Sequence, residues 1–492
     1  MDVKLRQVYI LGMPNTPFFP AWRARLANLG RHVHHLQQHS LVQLDGLLAP
    51  LLPAGVLAQA DQGPNSRERI YPVRRTFFGF LYQVLNPQCA CREIVRQILA
   101  LRTLDSAADT AQPGTSAFCQ ARHRLPNDIL ARIRSALAEH ADRVGERWQG
   151  FCVKVIDGTG VSAPDTPENQ RRYPQPAGQK PGCGFPFLKL VGVFSLASGA
   201  LLDYAKGNQH QHELGLLQKL LATFRAGDLV LADRGFSSYA LMALLWQRKV
   251  LCLFRLHHAR NSDFRQGQRL GKHDRLLVWT KPDNWQRPRF IPQYLWQRLP
   301  KTLTVRMVRF ALQRPGYRTK SVTMITTLLD PERYPPAELA QLYARRWRIE
   351  LWFRDIKTSM GMETLRCQSP AMLHKELEMF FIAYNFIRCL MAEAAQTYHV
   401  ELQRLSFKGT VDTLRQFSTA IAQARSRKQK DQLFGRLLEL IATDQVPERP
   451  GRREPRAVKR RPKPYQKLNR PRHQMVEMQH RSKYRKNWSK KS

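Results

Sequence analysis

"FCVKVIDGTG", Phe151 to Gly160, marks the point at which the texture of the chain changes. Upstream, apolar residues recur at helical spacing. Here they alternate, so "FCVKVID" reads as a strand that ends on Asp157, with "GTG" following as a turn. After a polar, Pro- and Gly-rich loop, "FLKLVGVFSLASGALLDYAKG" reads as a β-hairpin with Ser198 and Gly199 at its tip. "HELGLLQKLLATF" is then a helix, "GDLVLAD" a strand ending on Asp233, "SYALMALLWQRK" a helix and "VLCLFRL" a strand. Three strands, a helix, a strand, a helix and a strand make a mixed sheet with helices packed on it, an α/β layout.

Upstream of this core, residues from about 20 to 145 read as helical, in "LVQLDGLLAPLL", "TFFGFLYQVL" and "DILARIRSALAEHA". Between the last two lies "GTSAFCQARHRLP", where Thr115 or Ser116 can cap a helix showing Arg122, His123 and Arg124 before Pro126 stops it. One reading is a DNA-contacting helix; the other is an ordinary surface helix of a bundle. Downstream, from His257 to about Lys320, the rhythm breaks into an inserted, mainly β segment containing Trp279, Trp285 and Trp296. "SVTMITTLL" is one more strand, and Pro336 suits the first turn of the helix that follows.

That helix contains "YARRWRIELWFRDIK", Tyr343 to Lys357. With Tyr343 at zero and about 100° per residue, Arg346 falls near 300°, Lys357 near 320°, Glu350 near 340° and Arg354 near 20°. Leu342, Ile349, Phe353 and Ile356 cluster at roughly 220–280°, the stripe expected to be buried. A single carboxylate therefore sits in a ridge of cations and a phenol. Trp347 and Trp352 fall outside the ridge and are expected to pack, and Asp355 faces away from Glu350. "KELEMFFIAYNFIRCLMAEAA" is apolar nearly all round, hence a core helix, and weaker helices run to about Ala442.

The chain has 492 residues and a formal net charge of +41. The Pro- and Arg-rich tail from Val446 to Ser492 carries 17 Lys/Arg against 3 acidic residues, which leaves +27 of that charge on the remainder. A body this basic repels itself unless its partner is a polyanion, with nucleic acid ahead of a membrane surface. The eight cysteines are scattered without a CxxC pair, which indicates neither a zinc ribbon nor a disulfide framework. No apolar run reaches the roughly 18 residues of a membrane span, so a soluble, cytoplasmic protein is expected.

Asp157 and Asp233 each follow a run of strand residues, and Glu350 comes from the charged ridge. Carboxylates at strand ends meet at the carboxyl edge of a sheet, where open sheets hold their ligands. Three converging carboxylates repel one another unless a cation joins them, and oxygen donors select Mg2+ or Mn2+ over Zn2+. Two such ions about 3.5–4 Å apart can activate a water or a 3′-hydroxyl and stabilise the leaving oxygen of a phosphodiester. Tyr343, Arg346, Arg354 and Lys357 would then hold the non-reacting phosphates. Each residue has a plainer reading. Asp after a strand is common turn chemistry, and Glu350 can pair with Arg346 or Arg354 on its own helix.

Tyr343, Arg346, Glu350 and Lys357 stand in the spacing Y-(2)-R-(3)-E-(6)-K, which resembles the signature of DDE transposases of the insertion-element-four family. "VIDGTG" and "LADRGF" resemble that family's first and second acidic motifs; the three acidic residues lie 76 and 117 residues apart. "MITTLLDPERYP", "LRCQSPAMLHKELEMFFIAYNFIR" and "RRPKPYQKLNRPRH" are similar to further family segments, and "GTSAFCQARHRLP" to its N-terminal region. The resemblance implies an RNase H-like mixed sheet with flanking helices and a β-rich insertion. The layout it suggests is a helical DNA-binding domain over 1–145, a catalytic domain over 150–390 with its insertion at about 257–320, a helical region over 391–445, and a flexible basic tail over 446–492.

By function it implies a bacterial transposase that binds terminal inverted repeats and target DNA as a homodimer. Asp157, Asp233 and Glu350 would hold two Mg2+ or Mn2+ ions for strand cleavage and transfer. Tyr343, Arg346, Lys357, Arg354, Arg234, Arg122 and Arg124 would contact DNA, and one of the three insertion tryptophans could stack on a flipped base. The alternatives are a nuclease of this fold that cuts without joining, a catalytically inactive DNA-binding element protein, and an RNA-coating protein. The terminal-repeat and target sequences, and the use of a hairpin intermediate, are not encoded legibly in the chain.

Overall fold

The computed structural model describes residues 44, 47–48, 51–57, 70–105, 113–143, 145–178, 180, 182, 184–260, 262–311, 321–424, 426–447 and 474. Most of the first 69 residues and nearly all of the basic tail therefore lie outside the described residues. The chain divides into two compact units, one of residues 1–143 with 378–447, the other of 144–377 with 448–492.

The first unit opens with helices α1 (Val73–Leu85), α2 (Cys91–Asp105), α3 (Ser116–Arg124) and α4 (Asn127–Asp142). Helix α4 buries Ile129, Ile133, Leu137 and Ala141, the i, i+4 stripe that its sequence dictates. Phe118 and Ala121 of α3 pack with Ile94, Val95 and Ile98 of α2.

The second unit is built on one nine-stranded sheet. Along the chain come β1 (Cys152–Ser162), α5 (Pro167–Arg172), β2 (Phe187–Ser195), β3 (Leu201–Gly207), α6 (Glu213–Gln218), β4 (Asp228–Ala232), α7 (Tyr239–Gln247) and β5 (Leu251–Arg255). Then follow β6 (Gln268–Gly271), β7 (Asp274–Thr280), α8 (Gln293–Arg298), β8 (Thr302–Ala311), β9 (Ser321–Thr326), α9 (Pro336–Ala344) and α10 (Arg348–Arg354). The strand order is β3-β2-β1-β4-β5-β9-β8-β7-β6. β1, β4 and β5 run parallel and the remaining neighbours antiparallel. Leu216 and Leu217 of α6 and Met242 and Leu245 of α7 pack on Ile156, Val191, Val230 and Ala232, which form one apolar face of the sheet.

Two sequence expectations change here. β1 does not stop at Asp157; it continues through "GTG" to Ser162, paired antiparallel with β2. The two glycines do not make a turn. They make room, because a Cβ on Gly158 would strike the Glu213 carboxylate and one on Gly160 the Phe187 ring. The mainly β segment expected after His257 holds β6, β7 and β8 and joins the main sheet, with β8 pairing β9 and β9 pairing β5. The charged helix is not uniform either. α9 passes through a 3-10 turn at Arg345–Trp347 into α10, then a π-helical turn at Asp355–Ser359.

The long helix α11 (Pro370–Thr397) follows, and its residues from Glu378 onward belong to the first unit with α12 (Phe407–Gln423) and α13 (Arg427–Thr443). There Arg134 donates to Glu378 at 3.0 Å, both buried, and the Arg415 guanidinium donates to the Leu85 carbonyl. Among the described residues no helix is long and apolar enough to cross a membrane. Cys89, Cys91, Cys119, Cys152, Cys252, Cys367 and Cys389 are free thiols.

Candidate active site

Register brings the two aspartates together. β1 and β4 are paired in parallel as far as Ile156 opposite Ala232, so the next residue on each strand is an aspartate. Asp157 and Asp233 are thereby neighbours at the end of the parallel ladder, on strands roughly 4.8 Å apart. Across the antiparallel side Asp157 faces Gly192, where a side chain would meet Phe194 first and then Leu201 and the Phe353 ring of α10. That glycine lets α10 approach β1 closely on the Asp157 face.

The helical run meets the sheet residue by residue. The Tyr343 hydroxyl donates to the carbonyl of Ala232, just before Asp233, at 3.4 Å. Arg346 bridges two carboxylates, with Nη1 3.5 Å from Asp157 Oδ2 and Nη2 3.3 Å from Glu350 Oε1. The Lys357 ammonium donates to Thr159 Oγ1 at 3.4 Å, two residues beyond Asp157 on the same strand face. Leu342, Ile349, Phe353 and Ile356 are buried, as the wheel requires, and Trp352 is buried with its ring stacked on Phe194. Trp347 differs from expectation: it is exposed, as its place near 40° on the wheel, far from the buried stripe, requires.

Electrostatics identify the site as one short of positive charge. Burial pushes the Asp157 carboxyl up to about 6. The Gly158 N–H, donating to Oδ1 at 2.8 Å, and Arg346 act against this, while Glu350 and Glu213 add to it. Glu350 is likewise raised, by burial first, with Arg346 opposing and Asp233 adding. Burial works against the charge of Arg346, but Tyr343, Asp157, Asp233 and Glu350 more than reverse this and raise its pKa. Burial also raises the Tyr343 phenol, which stays a neutral donor. Asp233 thus acts electrostatically on Tyr343, Arg346 and Glu350 alike.

Among the described residues no three Asp, Glu, His or Cys side chains stand in a preformed metal-ligand arrangement. The cation that joins Asp157 to Glu350 here is the Arg346 guanidinium. Its contacts are longer than charged hydrogen bonds of about 2.7–2.9 Å. The Asp157 and Glu350 side chains keep 24% and 38% exposure, so the pairing is open and exchangeable. Carboxylates offer only oxygen donors, which fit a hard divalent ion.

The other expected contact residues divide. Arg234 is exposed directly beside Asp233, and Arg124 is exposed on α3. Arg354 is 63% exposed with Asp355 at 3.9 Å. Arg122 is a correction: it is buried, donates to Gln83 Oε1 at 2.9 Å and lies over the Phe80 ring, so its charge is used inside its own unit. Of the three tryptophans, Trp296 is fully buried and donates to Asn284, Trp279 lies under Arg260, and Trp285 is 80% exposed. Sequence reading missed Thr159 and Glu213. The glycines of "DGTG" carried the signal, since glycine inside a strand marks a close approach.

Residues 148–386 match the family model described as the transposase DDE domain. That segment is therefore similar to a transposase DDE domain. The chain is 28% identical over 442 residues, 87% of this chain and 94% of the relative, to transposase InsG for insertion sequence element IS4 of Escherichia coli (strain K12). It is also similar to a solved piggyBac transposase synaptic complex with hairpin DNA, at 10% identity and a TM-score of 0.36, over 85% of this chain and 86% of that one. That score is too low to define a shared fold.

Proposed function

We propose that this chain is the DNA transposase of an insertion sequence. Its RNase H-like core, β1 to β5 with the helical run carrying Glu350, would cut and rejoin phosphodiesters at the element's ends. The observation that carries this reading is that Arg346 ties Glu350 to Asp157, while strand register sets Asp233 beside Asp157 at the end of a parallel ladder. On this reading Asp157, Asp233 and Glu350 would hold Mg2+ or Mn2+, two ions, which when bound supply Lewis-acid activation of the attacking and leaving oxygens.

The remaining residues have roles that follow from where they stand. Tyr343 fixes the helical run to the β4 end through the Ala232 carbonyl. Arg346, loosely held between carboxylates, is poised to turn to a DNA phosphate once they are otherwise neutralised. Lys357, steadied by Thr159, supplies a second cation along the same face. Arg234, Arg354 and Arg124 are exposed cations suited to backbone phosphates, which fix register without reading sequence. Trp285, with its ring open to solvent, is the insertion tryptophan suited to stacking on an unpaired base. Partners would be the terminal inverted repeats and target DNA, bound by a homodimer in the bacterial cytoplasm.

The test is the purified protein with a terminal-repeat duplex and Mg2+. Wild type is expected to nick each end and yield joined products with target DNA. Asp157→Ala, Asp233→Ala and Glu350→Ala are expected to bind the duplex yet cut below detection. If all three cut as well as wild type, the site assignment is wrong. Nicks without joined products would mean a nuclease instead.

A further inference from the structure

The row that holds Asp157 and Asp233 has a third member. β4 and β5 pair in parallel as far as Ala232 opposite Phe254, so Asp233 and Arg255 are the next residues on neighbouring strands, just as Asp157 and Asp233 are on β1 and β4. Asp233 keeps extended backbone angles, φ −76° and ψ 173°, and Arg255 still pairs with Met324 of β9, so the register holds to this point. Residues level on adjacent strands share a face, which sets Asp157, Asp233 and Arg255 in line across two strand spacings, about 10 Å. Arg255 acts electrostatically on the Tyr343 phenol, whose hydroxyl meets the Ala232 carbonyl, so its charge lies beside the helical run. Cys252, Leu253 and Phe254 before it are buried, and Arg255 itself is part-buried. Among the described residues no hydrogen bond, ion pair or ring contact engages its side chain. Arg306 of β8 shows the contrast: its guanidinium is fully buried and donates to the Asp274 carboxylate and to two backbone carbonyls. A part-buried guanidinium left without an acceptor of the protein's own keeps its donors for another molecule.

We propose that Arg255 binds a backbone phosphate of the DNA strand lying across the carboxylates, on the β5 side of Asp233. This rests on the reading of Asp157, Asp233 and Glu350 as the cutting site. Lys357, held at Thr159 of β1, stands on the opposite side, so the two cations bracket the carboxylates. A guanidinium suits the task because its planar fork matches two phosphate oxygens at once. The competing role for Arg255 is a counter-charge that softens the field of Asp233. That role requires the charge but no contact with DNA.

The experiment is binding of the terminal-repeat duplex, with Mg2+, to full-length protein carrying Glu350→Gln, which is expected to bind without cutting. In that background Arg255→Met is expected to flatten the slope of log affinity against log salt by about 0.9, which is roughly an eightfold loss of affinity at about 0.1 M salt. Single methylphosphonate linkages, each removing one phosphate charge, then locate the contact. One position is expected to carry a penalty with Arg255 present and none in Arg255→Met. An unchanged salt slope in a folded Arg255→Met protein overturns the proposal. A changed slope with every methylphosphonate penalty intact overturns it too, because the charge then acts only through the field on Asp233. Should Arg255→Met fail to fold, Arg255→Lys decides: it keeps the charge without the fork, so a smaller penalty at one phosphate supports the contact and unchanged penalties refute it. Cutting by Asp157→Asn, Asp233→Asn and Glu350→Gln judges the underlying site reading separately. If all three cut as wild type does, that reading fails. If all three stop cutting and Arg255→Met keeps every penalty, only the Arg255 contact is lost.

Discussion

Asp157 holds its proton more tightly in the folded chain than in the unfolded one, because burial pushes its carboxyl up to about 6. In metal-free protein this makes folding less favourable as pH rises from the ordinary carboxylate range to about 6, and the deficit is fully present above that. Asp157→Asn removes the charge that burial opposes. In the presence of a chelator the variant is therefore expected to be more stable than wild type at pH 7.5, by about 1–3 kcal/mol. The gain should vanish near pH 4; urea titrations at the two pH values measure it. Greater stability with lost cleavage is the pattern of a residue kept for chemistry. Gly160 tests the other half of the motif. The Phe187 ring occupies the place of its absent side chain, so Gly160→Ala is expected to cost about 1–3 kcal/mol by overpacking, read by the same titration.

Between elements, one buried pair ties the extended half of the sheet to the helix that carries the signature. Arg306 of β8 donates from Nε at 2.9 Å and Nη2 at 2.6 Å to the Asp274 carboxylate of β7, and from Nη1 to the carbonyls of Asp330 and Tyr334 just before α9. Removing the carboxylate strands a buried guanidinium. Asp274→Ala is expected to lose about 3–5 kcal/mol, whereas the double variant Asp274→Leu with Arg306→Met should recover most of it. Denaturant midpoints of the three proteins test this. The helical run shows how far periodicity reaches at this scale. A uniform 100° wheel places the buried stripe correctly, since Leu342, Ile349, Phe353 and Ile356, which share a sector of about 60° on that wheel, are all buried. It does not contain the 3-10 and π turns, which are adjustments of pitch made against β1 and β4.

Across the whole chain the net charge of +41 is the dominant quantity. If the body neutralises about six phosphates, log affinity for duplex DNA should fall linearly with log salt at a slope of about −5. A flat response in filter binding or anisotropy would point to a partner other than nucleic acid. Deleting the residues after Pro447 removes 14 of those formal charges, because the tail carries 17 Lys/Arg and 3 acidic residues. The truncated protein is expected to bind all duplexes more weakly while cutting at the same position; altered cut sites would make the tail a sequence reader.

The α/β order, the hairpin tip at Gly199, the core character of α11 and the candidate carboxylates were all fixed by the sequence, because apolar period and turn chemistry are local properties. The amino-acid string could not say that β1 runs on through its glycines, since only the Glu213 and Phe187 side chains, far away in sequence, explain why those positions are bare. Nor could it say that Arg122 turns inward to Gln83, or that Arg346 reaches Asp157 as well as Glu350. Those outcomes depend on strand register and on the close approach of elements distant in sequence, and they exist only once the sheet has formed.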